Sequence, residues 1–346
     1  MHLTVRAASA SEDKEEMIAL LERNFPGRPM RDHFQHHEDN PAGAPWSWVI
    51  YDRESRSICA MTSLFPRPMF VDGKLLLCGQ VGQFAVDKAY RSLGPALKLQ
   101  RATFQPVDSD ALAFCYDCPP HDEGRSTFTR LGMRSTCEFM RYAFLLRSDQ
   151  FLERRFGKAA WTRPLITGSN LLLNLRRARR GAPGIEICNL VGQFGDEFTH
   201  MDRIVPSTGI VRSSRSAESL NWRYHDNALS NVRVVLARQR GELVAFLAFS
   251  IEPDRTATIQ DLFGRNLDKS GLPLLDAMID ACRQEDTVRI DWCCSETSEL
   301  RPLFRTIGFR RRERAATVFA YAKPGAMSRI LNSRESWPLG QAELGD

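Results

Sequence analysis

The sequence predicts an α/β (α+β) protein made of two tandem copies of one unit, each a mixed central sheet flanked by helices. Segments with strand-like and helix-like periodicity alternate along the whole chain, as in layered α/β folds. The chain of 346 residues is longer than one ordinary domain. Similar segments also recur at near-constant spacing: 177 residues separate Gly94 from Gly271, and 176 separate Gly132 from Gly308.

The first copy is predicted to run from residue 1 to residue 146. In order, we expect a strand at 3–7, helices at 11–24 and 30–38, strands at 46–52, 57–65 and 75–86, a helix at 94–105, a strand at 111–116, a short helix ending near residue 132, and a strand at 136–146. The segment Val71-Asp-Gly-Lys74 has the Asp-Gly pair of a tight hairpin turn, which connects two of these strands.

The second copy is predicted to span residues 185–325. In order, we expect a strand at 185–191, a helix at 194–204, a helix through 220–224, strands at 232–238, 243–251 and 256–262, a helix at 271–284, a strand at 288–293, a helix at 297–306, and a strand at 314–322. A linker at 147–184 separates the copies. The tail at 326–346, which follows Pro324-Gly325 and contains Pro338-Leu-Gly340, is expected to be poorly ordered.

Composition excludes several classes of protein. A net charge of +5 gives little support for a nucleic-acid partner, and no apolar run approaches the roughly 20 residues of a membrane span. The N-terminus lacks the apolar core of a secretory signal. Nine scattered cysteines, an odd number, indicate reduced thiols in the cytoplasm, and the lone Cys115-Tyr-Asp-Cys118 lacks the second pair that zinc would need. We therefore expect a cytoplasmic protein without a metal site.

The motif Arg91-Ser-Leu-Gly94-Pro95-Ala96 follows an apolar strand and opens a helix. The first turn of a helix leaves backbone N–H groups unpaired, and these groups can bind an anion. Gly94 permits close approach of the ligand, Pro95 suits a position that needs no N–H donor, and Arg91 adds a fixed positive charge. An ordinary helix start with an incidental arginine would give the same six residues.

This Arg-x-x-Gly-x-Ala loop resembles the pyrophosphate loop (Gln/Arg-x-x-Gly-x-Gly/Ala) of the GNAT superfamily of acyl-CoA-dependent N-acyltransferases. The helix end from Phe128 to Gly132 and Met133 is similar to the Tyr-x-x-x-Gly-Phe of that family, and the order of elements also matches. The resemblance implies that loop amides hold the diphosphate of acetyl-CoA, or another acyl-CoA, while the preceding strand admits its pantetheine arm. The residues it assigns to the cofactor are Phe84, Ala85, Val86, Arg91, Ser92, Leu93, Gly94, Pro95, Ala96 and Lys98.

The second copy lacks this loop chemistry. Asp268 stands where the first copy has Arg91, and a carboxylate at a phosphate site repels the ligand. We therefore interpret the second half as a degenerate copy that serves as a structural partner and a wall for the substrate. The tandem arrangement resembles bacterial double-GNAT proteins.

The site residues follow from the same resemblance. A backbone N–H of residues 84–86 would polarise the acyl carbonyl. The family's tyrosine acid is replaced by Phe128, so another group must act or the thiolate must leave unaided. Candidate bases, at the end of the strand 111–117 and just beyond it, are His121, Asp117 and Glu123. Candidate substrate contacts are Gln83, Tyr116 and Arg223, although the cluster around Arg223 is more typical of a capped core.

The sequence thus predicts direct N-acyl transfer, with acetyl as the expected group, to a small amine such as an amino sugar or a polysaccharide precursor. Two alternatives stay open: a Fem-type aminoacyltransferase, which the intact loop disfavours, and a non-catalytic scaffold or sensor that binds acyl-CoA or a glycan. The basic segment 147–180 is consistent with peripheral contact with an anionic membrane, or with a solvated linker. The oligomeric state is not predicted.

Overall fold

The computed structural model describes residues 3–91, 93–149 and 182–344, and five single positions between them (152, 156, 164, 167 and 168). Most of the predicted basic linker therefore lies outside the described residues. The elements of the first half are β1 (Leu3–Ala7), α1 (Lys14–Asn24), α2 (Met30–Glu38), β2 (Trp46–Asp52), β3 (Ser57–Val71), β4 (Lys74–Val86), α3 (Leu93–Ala102), α4 (Gln105–Asp108), β5 (Cys115–Asp117), α5 (Asp122–Arg130) and β6 (Ser135–Leu145).

The second half repeats this order. Its elements are β7 (Glu186–Asn189), α6 (Asp196–Ile204), β8 (Val211–Ser213), α7 (Ala217–Leu220) with a π-helical turn (Asn221–His225), β9 (Val232–Gln239), β10 (Glu242–Ile251), β11 (Thr256–Gly264), α8 (Leu267–Gln284), β12 (Arg289–Ser295), α9 (Arg301–Ile307), β13 (Arg310–Tyr321) and α10 (Ala326–Leu331). The predicted class, mixed sheets flanked by helices in two similar halves, is confirmed.

The strands form one continuous sheet, in which the two halves exchange their last strands. The order is β1-β2-β3-β4-β5-β13-β6-β12-β11-β10-β9-β7, with β8 beside β3. Strand β13 of the second half pairs with β5 of the first, and β6 of the first half pairs with β12 of the second. Because each half supplies a strand to the other, the backbone hydrogen bonds of the two halves are interlocked.

The hairpin between β3 and β4 forms as its turn residues predict. Asp72 and Gly73 both have positive φ, of 49° and 77°, which the right-handed twist of a two-residue hairpin requires. Strand β3 extends six residues beyond its predicted end at residue 65. The prediction stopped there because prolines follow, but Pro66 and Pro68 lie inside the strand. They fit there because β2 begins opposite Leu64 and β8 ends opposite Met69, so neither strand needs N–H donors from the prolines on that side.

The C-terminal segment is part of the core, so the expectation of a poorly ordered tail is wrong. Trp337 is fully buried, and its indole Nε1 donates to the Leu331 carbonyl at 2.9 Å. Its ring lies about edge-on to Phe114, at a centroid distance of 6.1 Å. Proline and glycine in this segment shape turns around buried anchors and do not mark disorder.

None of the helices among the described residues is long and apolar enough to cross a lipid bilayer.

Replacing Trp337 with alanine is expected to lower the free energy of unfolding by about 3–5 kcal/mol, because it leaves a large cavity between the C-terminal segment and the sheet. Denaturant unfolding would measure the change. Val191→Ala, at a side chain that is 92% exposed, serves as the control and should shift stability by less than about 0.5 kcal/mol. An unchanged midpoint for Trp337→Ala would show that the segment is not part of the cooperative core.

Candidate functional site

The first half contains a cleft where two parallel strands diverge. Strands β4 and β5 pair only at Gly79 with Cys115 and at Gln80 with Tyr116. Strand β4 continues to Val86, whereas β5 ends at Asp117. The edge of β4 beyond Gln80 therefore has no strand partner on this side among the described residues. We call this opening the β4–β5 cleft.

A cavity of about 940 Å³ passes through the β4–β5 cleft and has walls on both faces of the sheet. On one face, α3 contributes Ala96 and Gln100, in the layer where Leu99 packs against Val81 and Val86. On the other face, the lining residues are Met30 and His37 of α2, Phe65 and Arg67 of β3, Trp222 of the second half, and Leu344 of the C-terminal segment. A ligand that enters on the α3 face can thus meet a second ligand on the α2 face.

A β-bulge shapes the wall of the cleft at Gln83. The register between β3 and β4 shifts between the pair Met61–Ala85 and the pair Ser63–Gly82. Gln83 has a φ of 48°, unusual for a residue other than glycine, and such bulges redirect side chains at functional sites. Ser63 Oγ donates to Gln83 Oε1 at 3.1 Å, and the buried Gln83 Nε2 has no partner within the described chain. The predicted substrate residue Gln83 therefore presents an unused donor at the cavity wall.

The predicted acyl-binding residues Phe84, Ala85 and Val86 all line the cavity on this unpaired stretch of β4. The turn that follows is tied to helix α1. Asn24 Nδ2 donates to Asp87 Oδ1 at 3.0 Å, and Arg91 donates from NH2 to Asn24 Oδ1 at 3.0 Å and from Nε to the Val86 carbonyl at 3.1 Å. Arg91 thus braces the loop and also lines the mouth of the cavity.

The other predicted cofactor residues, on helix α3 and just before it, differ in whether they face the cavity. Gly94 is exposed, and a Cβ at this position would meet no atom within 4 Å, so the backbone at the helix start is open to a ligand. Ala96 lines the cavity and Pro95 is buried. Lys98 is exposed and does not line the cavity. Ser92 lies outside the described residues, and Leu93 is described only by its backbone at the first helical position.

The corresponding cleft of the second half is filled. Strands β11 and β12 pair up to Ile259 and Trp292 and then diverge, as β4 and β5 do. Here Gly340 of the C-terminal segment forms a bridge with Cys294 on the β11 side of β12, because β6 already pairs with the other side. A Cβ on Gly271, the counterpart of Gly94, would lie 2.6 Å from the Leu303 side chain. The chain itself thus occupies the space that is open in the first half.

A buried ion cluster fills the rest of the second cleft. Asp261, just beyond the last β11–β12 pair, accepts from Arg215 Nε at 3.1 Å. The same guanidinium bonds Glu343 of the C-terminal segment at 2.8 Å, and all three side chains are at least nine-tenths buried. Because each charge in this group is paired inside the fold, the second half offers no open equivalent of the first cleft.

Asp117 is the strongest candidate base. It ends β5 at the point where the strands diverge, lines the cavity, and accepts from Gln100 Nε2 at 3.5 Å. Loss of solvent around the carboxyl raises its pKa to about 7, and the hydrogen bonds from the Cys118 backbone and from Gln100 offset only part of this effect. A carboxylate with a pKa near neutrality can take a proton from an amine at physiological pH.

The other catalytic candidates have weaker geometry. His121 precedes the first residue of α5, is exposed, and lines the cavity near its mouth. Glu123 lies in the first turn of α5, and its side chain is outside the described part of the structure. Phe128, at the position of the family's tyrosine acid, points into the core and stacks on Phe319 of the exchanged strand at 5.0 Å.

Tyr116 and Arg223, two predicted substrate residues, do not line the cavity. Tyr116 is fully buried, and its hydroxyl donates to the Glu343 carbonyl at 3.3 Å. Arg223 NH1 donates to the Ala342 carbonyl at 2.8 Å. Both side chains hold the C-terminal segment in place beneath the cavity floor.

Several lining residues were missed at the sequence level. Trp222 stacks on His36 at 4.5 Å and joins the halves across the cavity, and Phe65 stacks on His37 at 3.9 Å. Arg67 is the notable omission. A lone arginine between two prolines, inside an otherwise apolar strand, is a signal that could have identified it.

The described structure is similar over nearly its whole length to solved N-acyltransferases. It matches a probable N-acyltransferase of Enterococcus faecalis V583 at 12% identity and a TM-score of 0.65, over 93% of this chain and 72% of that one. It matches a GCN5-related N-acetyltransferase of Anabaena variabilis at 11% identity and a TM-score of 0.62, over 92% of this chain and 72% of that one. It also matches N-myristoyltransferase of Saccharomyces cerevisiae, solved with bound myristoyl-CoA. This match has 12% identity and a TM-score of 0.61, over 93% of this chain and 79% of that one.

No family model matches the sequence, and no curated protein matches it significantly. At such low identity the structural similarities establish the fold, which is that of GNAT-like N-acyltransferases in their tandem form.

The raised pKa of Asp117 predicts how stability depends on pH. The folded protein keeps this carboxyl protonated up to about pH 7, whereas in the unfolded chain it ionises near its ordinary pKa of 3.8. Between these two pKa values, the folded state binds one more proton than the unfolded chain. The free energy of unfolding therefore falls as pH rises from about 4 to 7. Asp117→Asn should remove this slope and gain stability relative to wild type above pH 7.

Melting temperatures of both proteins from pH 5 to pH 9 would measure the effect. Glu54→Gln, at an exposed carboxylate, is the control and should follow the wild-type profile. Parallel profiles for Asp117→Asn and wild type would mean that Asp117 titrates normally.

Proposed function

We propose that this protein is an acyl-CoA-dependent N-acyltransferase that moves an acetyl group directly from acetyl-CoA to a small amine. The observation that carries the proposal is the asymmetry between two similar clefts. The first is open, has an unpaired strand edge, and ends at a carboxyl group whose pKa is raised to about 7. The second is filled by the chain's own C-terminal segment. The first half is therefore the proposed catalytic half.

The proposed cofactor site starts at helix α3. The diphosphate would accept hydrogen bonds from backbone N–H groups of the first turn, where Gly94 leaves the approach free and Arg91 adds a positive charge. Arg28, exposed and at the same mouth, is a second cation within the cavity lining. The pantetheine arm would then extend through the β4–β5 cleft and donate and accept hydrogen bonds in place of the missing strand.

The proposed transfer needs no covalent enzyme intermediate. Ionised Asp117 takes the proton of the attacking amine, and backbone N–H groups of residues 84–86 stabilise the oxyanion that forms on the acyl carbonyl. The C–N bond forms first, as the carbonyl π electrons move to the oxygen. When the oxyanion collapses back to a carbonyl, the C–S bond breaks and the CoA sulfur leaves as a thiolate. Since Phe128 cannot donate a proton, the low pKa of a thiol, about 8.5, must suffice for departure.

Thiol release from acetyl-CoA in the presence of a panel of amines tests the activity. We expect kcat to rise with pH and level off above about pH 7, as Asp117 ionises. Asp117→Asn should lower kcat by about 10²–10⁴-fold, the usual contribution of a general base, while its affinity for acetyl-CoA stays within about 2-fold of wild type. Binding of acetyl-CoA without turnover of any amine would favour the non-catalytic scaffold or sensor.

Calorimetric titration with acetyl-CoA tests the assignment of the cofactor to the first half. Arg91→Asp, which copies the charge of the second half, should abolish measurable binding because it sets a carboxylate against the diphosphate. Lys269→Asp makes the same charge change at the start of α8 and should leave binding unchanged. Retained affinity in Arg91→Asp, with a melting temperature near that of wild type, would contradict the assignment.

A further inference from the structure

Arg67 is a buried cation at the wall of the cavity. It lies on β3, is only 5% exposed, and lines the cavity on the α2 face. Its NH1 donates to the Ala342 carbonyl at 3.1 Å and lies 3.4 Å from the Tyr116 hydroxyl. Its buried Nε has no hydrogen-bond partner in the described part of the chain. Within that part, no carboxylate lies within ion-pair distance of Arg67.

The other charges around the C-terminal segment are already committed to one another. Arg212 pairs with Asp202, and Arg215 pairs with Asp261 and with Glu343. Arg67 takes part in none of these ion pairs, and its Nε is an unused donor at the cavity wall. A buried donor without a partner is costly, and an acceptor group on a ligand would complete its hydrogen bonding.

The surroundings of Arg67 favour a carboxylate as that ligand. A guanidinium offers its Nε and NH donors in a fork that fits the two oxygens of a carboxylate. The neighbouring cavity wall is apolar and aromatic, with Phe65, Trp222 and Leu344, and it would penalise a dianion more heavily than a single charge. The fork also lies on the face opposite α3, away from the loop proposed for the CoA diphosphate.

We propose that the amine acceptor carries a carboxylate, which binds Arg67 while its amino group meets Asp117. This inference rests on the proposed function and specifies the substrate class of the same site. The acceptor would be an amino acid or a related amino carboxylate, not a neutral amine. Charge-assisted hydrogen bonds to a buried guanidinium should favour it over the matching carboxamide by roughly 10- to 100-fold in kcat/KM.

Matched pairs of amines provide the test. We would measure thiol release from acetyl-CoA with 4-aminobutanoate and 4-aminobutanamide, with the corresponding six-carbon pair, and with glucosamine as a neutral amine. Wild type should prefer each carboxylate. Arg67→Gln should lose the preference for carboxylates and keep its affinity for acetyl-CoA. Arg67→Lys, which keeps the charge without the fork, should retain part of the preference. Arg53→Gln, at an exposed arginine that does not line the cavity, should behave as wild type.

A second readout does not depend on turnover. At equal ionic strength, glutarate should raise the melting temperature of the CoA-saturated wild-type protein and of Arg53→Gln, whereas glutaramide should not. Arg67→Gln should respond to neither compound. Equal use of carboxylates and carboxamides, or equal thermal shifts, would overturn this inference and leave the acyltransferase proposal standing. Failure of wild type to bind acetyl-CoA would instead overturn the proposed function itself.

Discussion

The structure depends on one interruption of a β-ladder. Strands β4 and β5 pair at two positions and then separate, so the backbone groups of β4 beyond Gln80 that face β5 have no strand partner among the described residues. Unpaired backbone groups in a sheet interior are costly, so the fold must brace the open strand by other means. It does so with the bulge at Gln83 on one side and, at its end, with the contacts of Arg91 and Asp87 to Asn24.

The same interruption occurs in both halves but has opposite outcomes. In the second half the C-terminal segment bridges β12 at Cys294, Leu303 fills the space beside Gly271, and Arg215 ties Asp261 to Glu343. The segment that closes the second cleft also brings Leu344 and the Ala342 carbonyl to the floor of the first. The second half thus contributes to the wall of the open cavity on its α2 face.

Sequence periodicity predicted most elements to within a few residues, because each buries one face in a regular pattern. It could not predict the exchange of β6 and β13, since the choice of partner strand depends on contacts far apart in sequence. The tail was misjudged because its proline and glycine suggested a loop, whereas Trp337 anchors it in the core. The loop motif directed the sequence analysis to the half that contains the open cleft. It ranked Asp117 behind His121 as a candidate base, because burial, which raises the pKa of Asp117, is invisible in the sequence.

The most direct measurement is a crystal structure of the protein with acetyl-CoA, combined with the binding stoichiometry from calorimetric titration. We predict one molecule of acetyl-CoA per chain, with its diphosphate at the start of α3 near Gly94 and its pantetheine arm along β4 between Val81 and Val86. Density against Lys269 and Gly271 at the start of α8, or two molecules per chain, would contradict the asymmetry between the halves on which the account depends.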